Sequence, residues 1–170
     1  MSDVDDDELE AVMEMGQEED STPTNNSTSN STSVCVDAID MDTPLAFHPK
    51  CGLFVRIINE NLTVVRPNAL REFNNAMALT NRPLKDDECF EVILDKVVEK
   101  WAGSLEIGLT THHPHSMDFP TTVSNITSGT IAFGGQSIII NGVTIREDYS
   151  FNTDNLKVKD KLCLSLVIFR

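Results

Sequence analysis

Short apolar stretches separated by Gly, Asn and Pro recur along the chain from Leu45 to its end. Within them apolar and polar residues often alternate with a period of two, which is typical of strands that bury one face. Many short strands with frequent turn signals predict an all-β fold, an antiparallel sandwich or barrel. The predicted strands are 54–58, 63–66, 76–79, 89–94, 104–110, 129–133, 137–140, 143–146 and 162–169.

Residues 88–109, ECFEVILDKVVEKWAGSLEIGL, fit two patterns. Phe90, Ile93, Leu94 and Val97 share one face of a helix. Phe90, Val92 and Leu94 also alternate with polar or opposite-face residues, as in a strand. The strand signals on both sides favour two antiparallel strands, about 89–98 and 104–110, with a bend at residues 101–103. Because the alternation fails near 96–98, we expect a β-bulge there.

Asn141-Gly142 is the strongest local signal in the chain. It separates Ile138-Ile139-Ile140 from Val143-Thr144-Ile145, and both residues tolerate the positive φ that a type I′ turn requires. The sequence therefore predicts a two-residue hairpin between strands 137–140 and 143–146.

Charge divides the chain into two parts. Residues 1–44 carry 13 acidic residues and no Lys or Arg, whereas residues 45–170 carry 14 acidic and 13 basic residues. The Ser/Thr/Asn-rich stretch 21–33 cannot bury enough apolar surface to offset its ordering entropy. We expect residues 1–44 to be a disordered tail or linker, with an acidic interaction tail or a phosphorylated segment as alternatives. Leu9, Val12 and Met13 would form at most a transient helical turn, and residues 45–170 would form the domain.

Composition also excludes several functions. The net charge of −14 and the absence of a basic stripe argue against nucleic-acid binding. No apolar run is long enough to span a membrane, and the acidic N-terminus does not have the pattern of a signal peptide. The scattered cysteines predict reduced thiols in the cytoplasm or the nucleus, with Cys51 and Cys163 as small core residues.

Several motifs in series resemble the Neuralized homology repeat (NHR) domain of the Neuralized-like proteins. They are FHPKCG (47–52), EFNNAMALTNRPLKDDECFEV (72–92), DKVVEKWAGSLEIGLTTHHP (95–114), INGVTI (140–145) and DNLKVKDKL (154–162). The resemblance implies an antiparallel β-sandwich similar to SPRY and concanavalin-like domains. It also implies a non-catalytic module that binds other proteins, as an adaptor in ubiquitin-ligase pathways. Such domains normally continue beyond the last motif, so we expect the sandwich to be incomplete.

Candidate chemistry is sparse. THHPHS (111–116) holds three histidines, but consecutive residues of an extended loop point in different directions, and zinc needs three or four converging ligands. The known catalytic motifs are missing. We therefore expect no enzyme activity, no metal and no cofactor; a metal-dependent enzyme built on the histidines is the weakest alternative.

Loops on a rigid sandwich commonly carry binding, so the polar loop residues of the family motifs are the candidate protein-binding site: Asn74, Asn75, Arg82, Pro83, His112 and Pro114. Turn geometry explains Asn74-Asn75 equally well. Trp101 is either a packing residue or an exposed binding residue. Self-association, with strands supplied by another copy or a following repeat, is the alternative to binding a different partner protein.

Overall fold

The computed structural model describes residues 11–15, 40–102 and 105–166. Within them the fold is all-β and antiparallel, with short 3-10 turns and no α-helix. The predicted fold class is therefore confirmed. The strands are β1 (Ala11–Met15), β2 (Arg56–Ile58), β3 (Thr63–Arg66), β4 (Cys89–Lys96), β5 (Glu106–Thr110), β6 (Thr130–Gly134), β7 (Ser137–Ile140), β8 (Val143–Arg146) and β9 (Lys161–Ser165); the 3-10 turns are Val123–Asn125 and Thr153–Asn155.

The strands form two sheets that face each other. One is four-stranded in the order β5-β6-β7-β8, and the other is five-stranded in the order β2-β3-β1-β4-β9. The core cluster lies mainly on the five-stranded sheet and consists of Phe47, Val55, Val64, Val92 and Leu162. Ile107 of the other sheet packs against this cluster. The alternating apolar residues of the strands thus bury a shared interior, as in a β-sandwich.

The predicted Asn141-Gly142 hairpin is confirmed. Both residues have positive φ, 51° and 78°, and they join β7 to β8. A Cβ at Gly142 would lie 2.4 Å from the backbone oxygen of Ser124, so both the backbone conformation and the available space require glycine here.

Strand β1 lies in the middle of the five-stranded sheet, paired with β3 on one side and β4 on the other. The transient helical turn predicted at Leu9, Val12 and Met13 is therefore wrong for Val12 and Met13, which lie in this strand. Residues 1–10 and 16–39 lie outside the described residues. Sequence reasoning did not predict this strand, because its five residues, AVMEM, are too few to show a period of two.

The strand interpretation of residues 88–109 is confirmed, but the prediction that the two strands pair with each other was wrong. Strand β4 pairs with β1 and β9, and β5 pairs with β6, so the two strands belong to different sheets. The register between β1 and β4 passes from Lys96 to Leu94, which makes Asp95 an extra residue. This irregularity lies one residue before the predicted bulge.

Residues 76–79 do not form the predicted strand. Their backbone bonds are scattered: Leu79 and Met77 accept from His48 and Gly52 at 2.8 and 2.7 Å, and an isolated bridge joins Phe47 to Thr80. The last predicted strand is observed as Lys161–Ser165, and residues 167–170 lie outside the described part.

The prediction for the cysteines was wrong in two respects. Cys89 of β4 and Cys163 of β9 form a disulfide, and both residues are exposed. In the ladder Cys89 is paired with Ser165, two residues from Cys163, so the two cysteines are diagonal neighbours on adjacent strands. Cys51 is free and half-buried beside the core cluster, as expected.

Candidate interaction site: the cleft between the sheets

A cleft of about 780 Å³ lies between the two sheets, a volume in the range of ligand pockets. Met13, Val64 and Leu94 line one wall from the five-stranded sheet, and Ile107 and Ala132 line the other. The walls are apolar because each strand turns its alternate apolar residues toward the interior. The cleft can therefore accept an apolar group.

An aromatic pair lies beside the cleft. The rings of Phe73 and Trp101 are 5.7 Å apart in an edge-to-face arrangement, and Phe73 is 38% exposed. The Trp101 indole N–H donates to the backbone oxygen of Ala69 at 2.9 Å, and the Lys100 ammonium lies 4.4 Å from the indole centroid. Trp101 is half-buried. It therefore packs as a structural residue, and together with Phe73 it also lines the cleft.

Asn74 and Asn75 occupy the same loop but differ in role. Asn74 is exposed and lines the cleft. Asn75 has a φ of 60°, its N–H donates to Thr121 at 2.8 Å and its backbone oxygen accepts from Phe54 at 3.0 Å. The turn-geometry alternative fits Asn75, whose conformation Asn tolerates well, whereas Asn74 is available to a ligand.

Arg66 contributes a polar group to the cleft wall. One guanidinium nitrogen donates to the backbone oxygen of Glu72. Among the described residues, its buried Nε has no hydrogen-bond partner. Burial lowers the pKa of Arg66, and the nearby Glu72 carboxylate partly opposes this shift. A buried donor without an acceptor costs free energy. An oxygen of a bound molecule could therefore serve as the acceptor for Nε.

Arg82 and Pro83 lie outside the cleft lining, in the turn before β4. Arg82 is only 6% exposed and makes two hydrogen bonds to the Glu88 carboxylate, at 2.6 and 2.7 Å. Its Nε donates to the backbone oxygen of Thr43 at 2.6 Å, and it also donates to Pro83. The hydrogen bond from Arg82 lowers the pKa of Glu88 to about 2. These contacts give Arg82 a structural role.

His112 and Pro114 follow β5 and are also outside the cleft lining. The His112 ring Nε2 lies 2.9 Å from the backbone oxygen of Ser128, and Pro114 is buried. Both residues therefore hold the loop in place.

Sequence reasoning noted the histidines of 111–116 but missed that His48 contacts them. Nδ1 of His48 lies 3.0 Å from the backbone nitrogen and 3.4 Å from the backbone oxygen of Lys50, and Nε2 of His48 lies 3.2 Å from Nε2 of His115. The His113 ring stacks on His115 with centroids 5.3 Å apart. His48 is distant in sequence, so no local spacing could reveal it. Within the described part of the chain, no group of three or more His, Cys, Asp or Glu residues could hold a metal ion.

Of the six candidate residues, the structure therefore places Asn74 at the cleft; Asn75, Arg82 and Pro83 lie elsewhere in the connection between β3 and β4, and His112 and Pro114 lie in the connection between β5 and β6. Phe73 and Arg66, which sequence reasoning did not select, join Asn74 at the cleft. Phe73 belongs to the motif that carries Asn74, which is the signal that could have found it. Arg66 could not be found, because its burial depends on the packing of the two sheets.

A two-sheet antiparallel fold with an apolar cleft and an aromatic pair beside it is the architecture of a binding domain. A family model described as Neuralized matches residues 47–161, more than half of the chain. The chain belongs to the Neuralized family, as its motifs indicated. Membership is consistent with a protein-interaction module. In the described part of the chain, no helix is both long and apolar enough to cross a membrane.

Proposed function

We propose that this chain is a non-catalytic adaptor module that binds an extended segment of a partner protein in the cleft. The observation that carries the proposal is the apolar cleft of about 780 Å³ with Phe73 and Trp101 beside it. Aromatic residues are enriched among the residues that dominate binding energy. The proposal includes a cytoplasmic role in ubiquitin-ligase-linked regulation, which the family resemblance supports.

The chemistry of the cleft defines the bound segment. One apolar side chain would fill the space between the walls, because burial of apolar surface drives such contacts. A backbone carbonyl or carboxylate of the segment would accept from Arg66 Nε, which has no partner among the described residues. The Asn74 amide, with both donor and acceptor capacity, would bond to the backbone of the segment.

The test uses peptides selected from a random display library on the full chain, with affinities measured by calorimetry. Phe73→Ala should weaken a selected peptide about tenfold or more, since truncation of a central aromatic contact typically has this effect. Arg66→Gln and Asn74→Ala should weaken it less. Val143→Ala is the matched control, because Val143 is exposed on β8, outside the cleft lining.

Each variant is compared with wild type by thermal unfolding, so that a loss of fold is not counted as a loss of binding. If Phe73→Ala binds the peptide as tightly as wild type does, or if Val143→Ala weakens binding equally, the cleft is not the site.

A further inference from the structure

One loop gathers two cations and two aromatic rings beside the cleft. Three backbone oxygens of this loop, residues 69–73, each accept a hydrogen bond from a side chain: Ala69 from Trp101, Leu70 from Lys100 and Glu72 from Arg66. Phe73 ends the loop, and its ring lies 5.7 Å from the Trp101 ring. Because one loop anchors all four side chains, Arg66, Phe73, Lys100 and Trp101 form a single group, the cation–aromatic cluster.

Arg66 supplies this cluster with a positive charge that the described residues compensate only in part. Its Nε is buried and has no hydrogen-bond partner among them. Burial lowers the pKa of Arg66, and the one described carboxylate that opposes this shift belongs to Glu72, which is exposed to solvent. A bound carboxylate would supply the missing negative charge, and its two oxygens match the planar fork of guanidinium donors.

The charged residues that line the cleft balance one another in number. Besides Arg66, the lining holds two basic side chains and three acidic ones: Lys96, Lys157, Glu99, Glu106 and Asp154. None of these three carboxylates contributes to the pKa shift of Arg66. Glu106 and Asp154 belong to β5 and to the second 3-10 turn rather than to the loop at Arg66. The cleft as a whole therefore does not favour anions, and the preference for an anion is confined to the neighbourhood of Arg66.

The positions of Arg66 and Phe73 set the spacing of the two groups that would bind. The Arg66 guanidinium donates to the backbone oxygen of the residue that directly precedes Phe73. In an extended segment, residues i and i+2 lie on one face about 7 Å apart. A carboxylate on Arg66 and an apolar side chain on the aromatic pair would therefore come from residues two positions apart.

Lys100 adds a second positive charge to the cluster. Its side chain is exposed, and its ammonium lies 4.4 Å from the centroid of the Trp101 indole. A cation at the rim of a binding site favours the approach of an acidic partner.

We propose that the cation–aromatic cluster recognises an acidic side chain, Asp or Glu, two residues away from an aromatic or large apolar side chain in the bound segment. The carboxylate pairs with the Arg66 guanidinium, and the apolar side chain packs on Phe73 and Trp101. This inference rests on the proposed peptide-binding function and adds the chemistry of the segment that is bound.

The test uses pools of synthetic heptapeptides with acetylated and amidated ends. Asp-x-Phe, Asn-x-Phe or Asp-x-Ser is fixed at the centre of each pool, and the other positions are random. The immobilised full chain should retain the Asp-x-Phe pool about fivefold or more above the Asn-x-Phe pool, because charge-assisted hydrogen bonds are roughly twice as strong as neutral ones. It should also retain Asp-x-Phe above Asp-x-Ser, because serine leaves the aromatic pair uncovered.

Variants of the full chain assign the selectivity to Arg66. Arg66→Gln should remove the preference for Asp over Asn and leave the preference for Phe over Ser. Arg66→Lys should keep part of the preference for Asp, since lysine retains the charge but lacks the fork. Arg56→Gln is the matched control, because Arg56 is an exposed arginine of β2 outside the cleft lining. Thermal unfolding verifies that each variant folds, and the comparison of pools on the wild-type chain needs no variant.

Equal retention of the Asp-x-Phe and Asn-x-Phe pools by the wild-type chain would overturn the inference, as would a preference for Asp that survives in Arg66→Gln. An Asn-x-Phe pool with free carboxyl ends that is retained as well as the blocked Asp-x-Phe pool would also overturn it, because the site would then recognise a chain end.

The failure of this inference is distinguishable from the failure of the proposed function. If the Asp and Asn pools are retained equally and Phe73→Ala loses both, the cleft is a peptide site without this selectivity. If no pool is retained, the inference is overturned, and the peptides selected from the display library decide the proposed function.

Discussion

The two sheets of this domain are assembled in different ways. The four-stranded sheet follows chain order, β5-β6-β7-β8, so each strand pairs with its sequence neighbour. The five-stranded sheet, β2-β3-β1-β4-β9, joins segments from both ends of the chain and includes a strand from the acidic N-terminal part. Local signals specify the first sheet, whereas the second depends on long-range contacts, which cost more loop-closure entropy to form.

The largest expected effect concerns the ion pair that precedes β4 in the nonlocal sheet. Arg82→Ala would leave Glu88 without the partner that its carboxylate contacts twice. Removal of one member of a buried pair typically costs about 3 kcal/mol or more, which chemical denaturation would measure. The control is Lys161→Ala, which removes the exposed pair with Glu91 and should cost below about 1 kcal/mol. Equal losses would show that the buried pair has no special role.

The Arg82–Glu88 pair also predicts that the free energy of unfolding depends on pH in the acidic range. The pKa of Glu88 is lowered from 4.5 to about 2 in the folded protein. In that range the unfolded chain binds more protons, so the stability from this group is present above pH 4.5 and is lost as the pH falls toward 2. Arg82→Ala should flatten this part of the stability profile, and an unchanged profile would contradict the assignment.

An intermediate effect is expected at the local hairpin of the four-stranded sheet. Gly142→Ala forces a side chain into a φ of 78° and places Cβ 2.4 Å from the Ser124 backbone oxygen. The expected loss is about 2 kcal/mol in the free energy of unfolding. Thr144→Ala, at an exposed position of β8, should change stability by less than about 0.5 kcal/mol. A Gly142→Ala protein as stable as the Thr144→Ala protein would show that the turn does not constrain the sheet.

The smallest effect is expected at His48, which joins the loop before β2 to the loop after β5. Burial lowers its pKa below 6.5, the backbone hydrogen bond with Lys50 opposes this, and nearby His115, His113 and Lys50 lower it further. The unfolded chain therefore binds more protons just below pH 6.5, so stability falls as the pH decreases through that region. Unfolding measured at about pH 7.5 and about pH 5.5 should show a smaller difference in His48→Gln than in wild type. The opposite order would indicate that the folded state favours the charged ring.

The parts of the fold that sequence predicts are those whose signals are local. Ser137–Ile140, Asn141-Gly142 and Val143–Arg146 form one continuous alternating pattern around an obligatory turn, and the structure reproduces it. Ala11–Met15 lacks such support, because its strand character comes from β3 and β4. The connection between β4 and β5 was predicted wrongly for a related reason. The two strands are close in sequence, which suggested that they pair, but the chain passes from one sheet to the other between them.

The candidate site is predictable to a smaller extent. Asn74 was selected because it lies in a family motif, and the structure places it in the lining of the cleft. Arg82 lies in the same motif, but its burial and its pairing with Glu88 depend on the folded turn. The role of Arg66 and the contact of His48 with His115 arise only when distant segments pack together. Residue type and motif thus predict which loops matter, whereas packing decides which side chains are available.

The bond between Cys89 and Cys163 has a mechanical consequence. The two residues are 74 positions apart, and every strand of the four-stranded sheet lies between them. Tension applied to the chain on either side of this interval would pass directly through the sulfur atoms. The enclosed segment, whose extended length is roughly 250 Å, would then stay shielded from the load until the bond is reduced.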